Sequence, residues 1–198
     1  MSKTTICIKY GIGEGDWHGR RFKKALKRAG FKVTLDALRV DIIVSHSGGC
    51  FFLPQAPKEQ MIVLINPPYW PGKPLALSAF QKIWWDYKAF AARGKRLGWY
   101  FKTMWNCVHL VRYLGKSWTI SLSARKHNFH EALHHDTVVI IRNDQDAWCT
   151  PHIQEQLHPG KTFHMHRMPG QHDDCWANPE PYVQVIQSEV TQDRKQRP

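Results

Sequence analysis

Three short segments of this chain are apolar throughout and show no alternation with polar residues. They are IIV at 42–44, MIVLI at 61–65 and VVII at 138–141. A strand covered on both faces reads as a continuous apolar run, as in the parallel sheets of α/β proteins, whereas a half-exposed strand alternates. These runs therefore predict a buried and mostly parallel sheet.

Helical patterns lie between the predicted strands. Residues 18–29 carry Phe22, Ala25, Leu26 and Ala29 at the spacing of one helical face, and Gly30 follows as a stop signal. Further helices are predicted over part of 76–114 and over 150–157 and 178–190, and further strands over 4–9, 31–35 and 162–168. Because strands and helices alternate, the fold class we predict is a doubly wound, mostly parallel α/β sheet.

Length and composition indicate one folded domain over residues 1–198. Of the 198 residues, 42% are hydrophobic and 22% charged, which is enough apolar material to bury a core. No run reaches the roughly 20 apolar residues that span a bilayer, and the first residues lack the apolar region of a secretory signal. The five cysteines are odd in number and form no CxxC pair, which fits a reducing compartment. We therefore expect a cytoplasmic protein.

The region from 75 to 118 differs from the rest in being rich in tryptophan, lysine and arginine. We expect a helical, cap-like insertion over the sheet. Such a composition is also typical of a helical packing layer with solvated charges, or of a nucleic-acid or lipid surface. The net charge of +12 keeps an acidic partner open, although nucleic acid ranks last because no nucleic-acid motif is present. Residues 191–198 are predicted to be a polar tail.

The segment DIIVSHSGG, residues 41–49, places five small or polar residues directly after a predicted strand. A nucleophilic serine on a sharp strand-to-helix turn requires small residues two positions before and two after it, because the backbones crowd there. Ser47 meets this requirement with Ser45 and Gly49. A glycine-rich turn without any chemistry would show the same five residues, so partner residues elsewhere in the chain have to distinguish the two interpretations.

An acid and a histidine follow in the order that this serine arrangement requires. Asp144 and Asp146 come after the strand at 138–141, and His172 comes after the strand at 162–168. A serine hydroxyl needs a base to remove its proton, and a histidine oriented by an aspartate is such a base.

With these motifs the chain resembles the α/β-hydrolase superfamily, in particular the small compact serine hydrolases related to retinoblastoma-binding protein 9 and the bacterial YdeN-like proteins. The resemblance depends on IKYGIGEGDWHG, IIVSHSGG, NDQDAWCTP and PGQHDDCWANPEPY, and it covers most of the chain except the cap-like region. It implies Ser47 as nucleophile, His172 as general base and then acid, and an aspartate that orients the histidine.

The resemblance favours Asp146 as this acid, with Asp144 as the alternative. The oxyanion hole is expected to use the backbone N–H of Gly48, and by resemblance that of Ile12. Tyr69 and Trp70 follow the strand at 61–65 and are candidates for an apolar acyl pocket, with packing under the cap-like region as the alternative.

No cofactor and no metal ion are predicted. The loop GIGEG lacks both the dinucleotide pattern and the lysine of a phosphate-binding loop. His164 and His166 share one face of a strand, but the twelve histidines show no convincing ligand spacing. His46 is interpreted as a packing residue.

The sequence therefore predicts an esterase-like serine hydrolase acting on a small-molecule ester, thioester or amide. The alternative is a catalytically silent binding protein with the same fold, because fold by itself does not determine function.

Overall fold

The protein is described here by a computed structural model. The described residues are 3–11, 14–51, 53, 57–68, 135–146 and 163–196, with isolated positions between 84 and 108. Their strands form one six-stranded, fully parallel sheet in the order β2-β1-β3-β4-β5-β6. The strands are β1 (Thr5–Lys9), β2 (Lys32–Thr34), β3 (Ile42–His46), β4 (Met61–Ile65), β5 (Val138–Asn143) and β6 (Phe163–Met168). The predicted parallel α/β class is confirmed.

The direction in which the chain adds strands reverses between β1 and β3. From β1 the chain moves outward to β2, and it then crosses over to β3 and continues through β4 and β5 to β6 at the other edge. In open α/β sheets the loops at the carboxyl ends of the strands diverge at such a point and leave a crevice. The loops that follow β1 and β3 therefore border the expected ligand site.

Every residue of the three central strands is buried, as the uninterrupted apolar runs predicted. Ile43 pairs with Ile62, and Ile62 pairs in turn with Val138, so one apolar row crosses the middle of the sheet. β3 and β5 extend beyond their apolar runs to His46 and Asn143. Their polar ends still form ladder pairs with β4 and β6, which fixes the direction of these side chains.

Helices cover one face of the sheet. Helix α1 (Arg20–Arg28) buries Phe22, Ala25 and Leu26, as its spacing predicted. The short helix α2 (Asp174–Ala177) and the long helix α3 (Glu180–Gln196) follow β6. Their inward side chains join those of α1 and of alternate strand residues in one apolar cluster.

The predicted polar tail needs a correction, because α3 continues to Gln196 and so includes residues 191–196. Two contacts with the sheet explain this extension. Asp193 accepts a hydrogen bond from the Thr137 hydroxyl at 2.9 Å, and Arg194 donates one to the hydroxyl of Thr4. A polar composition gave no sign of these contacts, since they join residues far apart in the sequence.

The predicted cap region, 75–118, lies for the most part outside the described residues. The isolated positions described between 84 and 108 have helical backbone, apart from Gly94 in a turn. In the described part of the chain, no helix has both the length and the apolar character that crossing a membrane requires.

Candidate active site

Ser47 lies at the point where β3 ends and a 3₁₀ turn, Ser47–Phe51, begins. Its φ angle is 51°, in the left-handed region that residues with a Cβ atom rarely adopt. Strained backbone of this kind costs roughly 1–3 kcal/mol and concentrates at functional sites. Ser47 therefore sits at the sharp bend between the strand and the turn, in a conformation that the surrounding packing has to enforce.

Close backbone packing explains the small residues around Ser47. A Cβ atom added to Gly49 would lie 2.7 Å from the carbonyl oxygen of Tyr10, and one added to Gly11 would lie 3.0 Å from the Cβ atom of Ser47. The loop after β1 and the turn after β3 are therefore in backbone contact. Ser45 is fully buried, and its hydroxyl has no hydrogen-bond partner among the described residues. Ser45 thus occupies the small-residue position before the bend.

Ser47, His172 and Asp146 form a continuous hydrogen-bonded row. The Oγ atom of Ser47 lies 2.7 Å from Nε2 of His172, and Nδ1 of His172 lies 2.7 Å from Oδ2 of Asp146. A carboxylate accepts hydrogen bonds, so Nδ1 of His172 carries the proton and Nε2 accepts the hydrogen bond from the serine hydroxyl. Asp146 and His172 are both buried, which shields these hydrogen bonds from competing water.

Asp144, the alternative acid, lies elsewhere. Its carboxylate is 3.9 Å from Nη1 of Arg142, and its side chain is 56% exposed. Asp146 contacts His172 because the backbone turns after β5, where the Asp146 N–H donates to the carbonyl of Asn143. Of the two aspartates, only Asp146 shares a hydrogen bond with the histidine ring.

The remaining predicted site residues divide into two groups. Gly48 is buried and directly follows Ser47 in the 3₁₀ turn. Ile12, Tyr69 and Trp70 lie outside the described residues.

The backbone carbonyl of His172 is held by two further side chains that the sequence did not indicate as site residues. Nδ2 of Asn66 donates to it at 2.7 Å, and Nε2 of His46 lies 2.9 Å away. Asn66 follows β4 with a φ angle of 49° and accepts the backbone N–H of Asn143 at 2.8 Å. His46 was predicted to be a packing residue, which is wrong in that both of its ring nitrogens form polar contacts.

Glu14 is the third residue missed. Its carboxylate lies within 3.0 Å of Nδ1 of His46 and accepts the N–H of Gly11 at 2.7 Å and the indole N–H of Trp176 at 3.0 Å. The only feature of the sequence that could have indicated Glu14 is an acidic residue in a glycine-rich loop. Loop carboxylates that only face solvent show the same feature, so the sequence did not distinguish the two.

The pKa values of Glu14 and His46 shift in opposite directions, that of Glu14 downward and that of His46 upward. Burial would raise the pKa of Glu14, but the charge and hydrogen bond of His46 and the Trp176 N–H outweigh it, so the pKa is lowered. Burial would lower the pKa of His46, but the hydrogen bond of Cys175 and the charge and hydrogen bond of Glu14 raise it well above 6.5. Because burial also raises the pKa of the Cys175 thiol, that group stays neutral and Glu14 is the anion beside His46.

One group of three potential metal ligands occurs among the described residues, namely His46, His172 and Asp173, with ligand atoms within 4.8 Å of one another. Both ring nitrogens of His46 and both of His172 already have hydrogen-bond partners. A metal ion would have to break these contacts, so this group fits hydrogen bonding better than ligation.

His164 and His166 share one face of β6, as the strand spacing predicted, and both contact one buried carboxylate. Glu189 of α3, which is 4% exposed, accepts from Nε2 of His166 at 2.6 Å and from Nδ1 of His164. This cluster lies on the edge strand and is separate from Ser47.

Solved structures with a similar fold include a protein named as an α/β hydrolase, a lactonase and a deformylase. An enol-lactonase from Burkholderia xenovorans has a TM-score of 0.62 at 12% identity, with 96% of this chain and 92% of the other covered. An N-formylmaleamic acid deformylase from Pseudomonas putida has a TM-score of 0.57 at 14% identity, with 93% and 92% covered. An α/β-hydrolase enzyme from a Medee basin deep-sea metagenome has a TM-score of 0.63 at 11% identity, with 94% and 88% covered.

No protein-family model and no curated protein sequence matches the chain. At 11–14% identity these likenesses concern the fold, and they show that the chain has the compact α/β-hydrolase fold.

Proposed function

We propose that this α/β-hydrolase-fold protein is a serine hydrolase that cleaves an ester, thioester or amide of a small acyl substrate. The observation that carries the proposal is the hydrogen-bonded row from Ser47 through His172 to Asp146, with Ser47 on a strained bend. A serine in hydrogen-bond contact with an oriented, buried histidine is the arrangement that activates a hydroxyl as a nucleophile.

The first half of the reaction forms an acyl-enzyme. Ser47 Oγ attacks the acyl carbonyl carbon while Nε2 of His172 takes the hydroxyl proton. Asp146, which accepts from Nδ1 at 2.7 Å, holds the ring in the required tautomer and stabilises the imidazolium. Collapse of the tetrahedral intermediate breaks the bond to the leaving group, which receives the proton from Nε2.

The second half regenerates the serine. Water attacks the acyl carbon of the ester formed with Ser47 and gives a proton to His172. The bond to Ser47 Oγ then breaks, the serine regains its proton, and the carboxylic acid leaves. In both halves the backbone N–H of Gly48 is assigned to the oxyanion, with Ile12 as the second donor by resemblance.

The proposed substrate is an acyl compound that is cleaved at its carbonyl carbon. An enol-lactonase and a deformylase are among the proteins of similar fold, and both names describe cleavage at an acyl carbonyl. The sequence motifs further support placement near the small compact hydrolases related to retinoblastoma-binding protein 9. Tyr69 and Trp70 are proposed to line the acyl pocket.

A fluorophosphonate probe tests the proposal directly, because it reacts with an activated serine and not with an ordinary hydroxyl. We expect labelling of the wild-type protein at Ser47 and complete loss of labelling in Ser47→Ala. The matched control is Ser188→Ala, which removes an exposed serine of α3 and leaves labelling intact.

Hydrolysis of p-nitrophenyl esters of increasing chain length would then define the acyl pocket. Folded wild-type protein that neither reacts with the probe nor hydrolyses any of these esters would contradict the proposal and favour the silent binding protein.

A further inference from the structure

A buried pair of side chains, Glu14 and His46, contacts the backbone of His172 in the candidate active site. His46, the last residue of β3, is fully buried, and Glu14 in the loop after β1 has only 12% of its side chain exposed. Nδ1 of His46 lies 2.9 Å and 3.0 Å from the two carboxylate oxygens of Glu14. On the other side of the ring, Nε2 lies 2.9 Å from the backbone carbonyl oxygen of His172.

The hydrogen-bond partners determine where the protons are. Both oxygens of Glu14 accept other N–H groups, one from Gly11 at 2.7 Å and the other from Trp176 at 3.0 Å, which is the environment of an ionised carboxylate. A carboxylate and a carbonyl oxygen can only accept hydrogen bonds. Both ring nitrogens of His46 must therefore donate, and the ring is an imidazolium.

The groups around the His46 ring are consistent with this charge. The centroid of the Trp176 ring lies 4.9 Å from that of the His46 ring, with an angle of 68° between the two ring planes. The centroid of the His172 ring is also 4.9 Å from that of His46. Of the neighbouring ionisable groups, Cys175 stays a neutral thiol, and Asp173 places a carboxylate oxygen within 4.8 Å of a ring nitrogen of His46 and of His172. Glu14 is the carboxylate in hydrogen-bond contact with the ring.

We propose that Glu14 and the His46 imidazolium act as a positioning pair that joins the loop after β1 to the backbone of His172. The inference rests on the proposed function of Ser47 and His172. Through Gly11, the pair fixes the loop that packs against Ser47. Through the His172 carbonyl, it fixes the main chain that carries the catalytic base. Neither Glu14 nor His46 contacts the reacting atoms.

The contacts of the pair with Gly11 and with the His172 carbonyl both affect how the His172 ring is placed relative to Ser47. The His172 ring has to lie between Ser47 and Asp146 at 2.7 Å from each, and the ring position follows from that of its backbone. Asn66 donates to the same carbonyl at 2.7 Å, so two donors, one at the end of β3 and one directly after β4, define its position. Misplacing reacting groups by about 1 Å can lower a rate by roughly 10²-fold.

The test combines kinetics with direct observation of the protons. In Glu14→Gln and His46→Gln we expect kcat for a p-nitrophenyl ester to fall about 10- to 100-fold, with KM changed less than about threefold. A pair that only stabilised the fold would lower the melting temperature but leave kcat of the folded protein unchanged. The control is His135→Gln, which replaces a second buried histidine whose Nδ1 lies 3.1 Å from the backbone carbonyl oxygen of Gln60. This variant should lose stability and keep kcat.

Nitrogen-15 NMR of the ring of His46 in the wild-type protein provides the second readout. We expect both nitrogens to carry a proton at pH 7.5, where an ordinary histidine is mostly neutral. An unprotonated His46 nitrogen at this pH, or kcat within about threefold of wild type in both folded variants, would overturn the inference.

Failure of the two proposals is distinguishable. Wild-type protein without any probe labelling contradicts the serine hydrolase. Wild-type protein that is labelled and active, with equally active Glu14 and His46 variants, contradicts the positioning pair only. If neither variant folds, the NMR result on the wild-type protein still decides whether His46 is the charged group.

Discussion

Nε2 of His172 lies 2.7 Å from Oγ of Ser47, although 125 residues separate the two positions. Ser47 follows β3, and His172 lies in the loop between β6 and α2. They approach each other because both strands belong to one parallel sheet, whose carboxyl ends share one edge. The chemistry proposed for the site depends on this contact.

Replacing Asp146 should slow the reaction far more than replacing Asp144. Asp146→Asn keeps the shape of the side chain but removes the carboxylate that holds the tautomer of His172. We expect kcat to fall about 10³- to 10⁴-fold, as in other serine triads that lose the acid.

The matched variant Asp144→Asn weakens only a 3.9 Å contact with Arg142 on a half-exposed side chain. Its kcat should stay within about twofold of wild type, since the Asp144 carboxylate is 56% exposed and the hydrogen bond to Nδ1 of His172 comes from Asp146. Comparable losses in the two variants would mean that Asp146 is not the orienting acid.

Adding a methyl group at Gly49 should destabilise the fold by overpacking. The new Cβ atom would lie 2.7 Å from the backbone oxygen of Tyr10, which cannot move without shifting β1. We expect Gly49→Ala to lower the free energy of unfolding by about 1–3 kcal/mol in urea denaturation.

Gly15→Ala is the control for this substitution, because the nearest atom to its Cβ would be the Cδ1 of Trp17 at 4.0 Å. Its unfolding free energy should change by less than about 1 kcal/mol. Equal stability of the Gly49 variant and wild type would refute the close backbone packing of the two loops.

The carboxylate of Glu189 should contribute to stability through its two histidines. Glu189→Gln replaces an acceptor for both His164 and His166 by an amide with a single acceptor oxygen, in a position only 4% exposed. A lost hydrogen bond at a buried charged group costs about 1–3 kcal/mol, and we expect urea denaturation to show a loss in this range.

Glu180→Gln is the control, because it makes the same substitution in the same helix at an exposed position. Glu180 pairs with Arg28 at 2.9 Å, with both side chains more than half exposed. We expect a loss of less than about 1 kcal/mol. If Glu180→Gln cost as much as Glu189→Gln, burial of Glu189 would not be the cause of its effect.

The pair of Glu14 and His46 should make stability depend on pH in a defined window. Because the pKa of Glu14 is lowered by folding, its contribution is present above about 4.5 and is lost as the pH falls through the folded pKa. Because the pKa of His46 is raised, its contribution is complete below 6.5 and is lost as the pH rises through the higher folded pKa.

The stability difference between wild type and Glu14→Gln should therefore be largest between about pH 4.5 and 6.5 and shrink on both sides. Urea denaturation at a series of pH values measures it. A difference that stays constant from pH 3 to pH 10 would show that the pair is not ionic.

Much of the fold was predictable because burial on both faces leaves a local record in the sequence. The run at 61–65 coincides with β4 to the residue, and helix α1 begins and ends within two residues of its predicted pattern. The residues by which a strand or helix continues beyond its apolar pattern were not predictable. β5 continues to Asn143 because that residue pairs with Met168 of β6, and α3 continues past residue 190 because its last turns contact Thr4 and Thr137.

Some residues of the candidate site were likewise predictable from the sequence, and others were not. Ser47 was identifiable because the crowding at its bend restricts the residues beside it, and Asp146 and His172 because they follow in a required order. His46 and Glu14 were not, since a buried, charged histidine and a packing histidine look the same in a linear sequence. Their roles depend on a carbonyl 126 residues away from His46 and on an N–H three residues before Glu14.

The sequence by itself determined that this chain forms a parallel α/β sheet with a small-residue bend after one central strand, because apolar periodicity and backbone crowding act between neighbours in the chain. Only the tertiary structure decided which aspartate contacts His172 and that His46 is paired with Glu14. Those contacts join residues from different strands and loops, and their distances follow from the order and register of the strands.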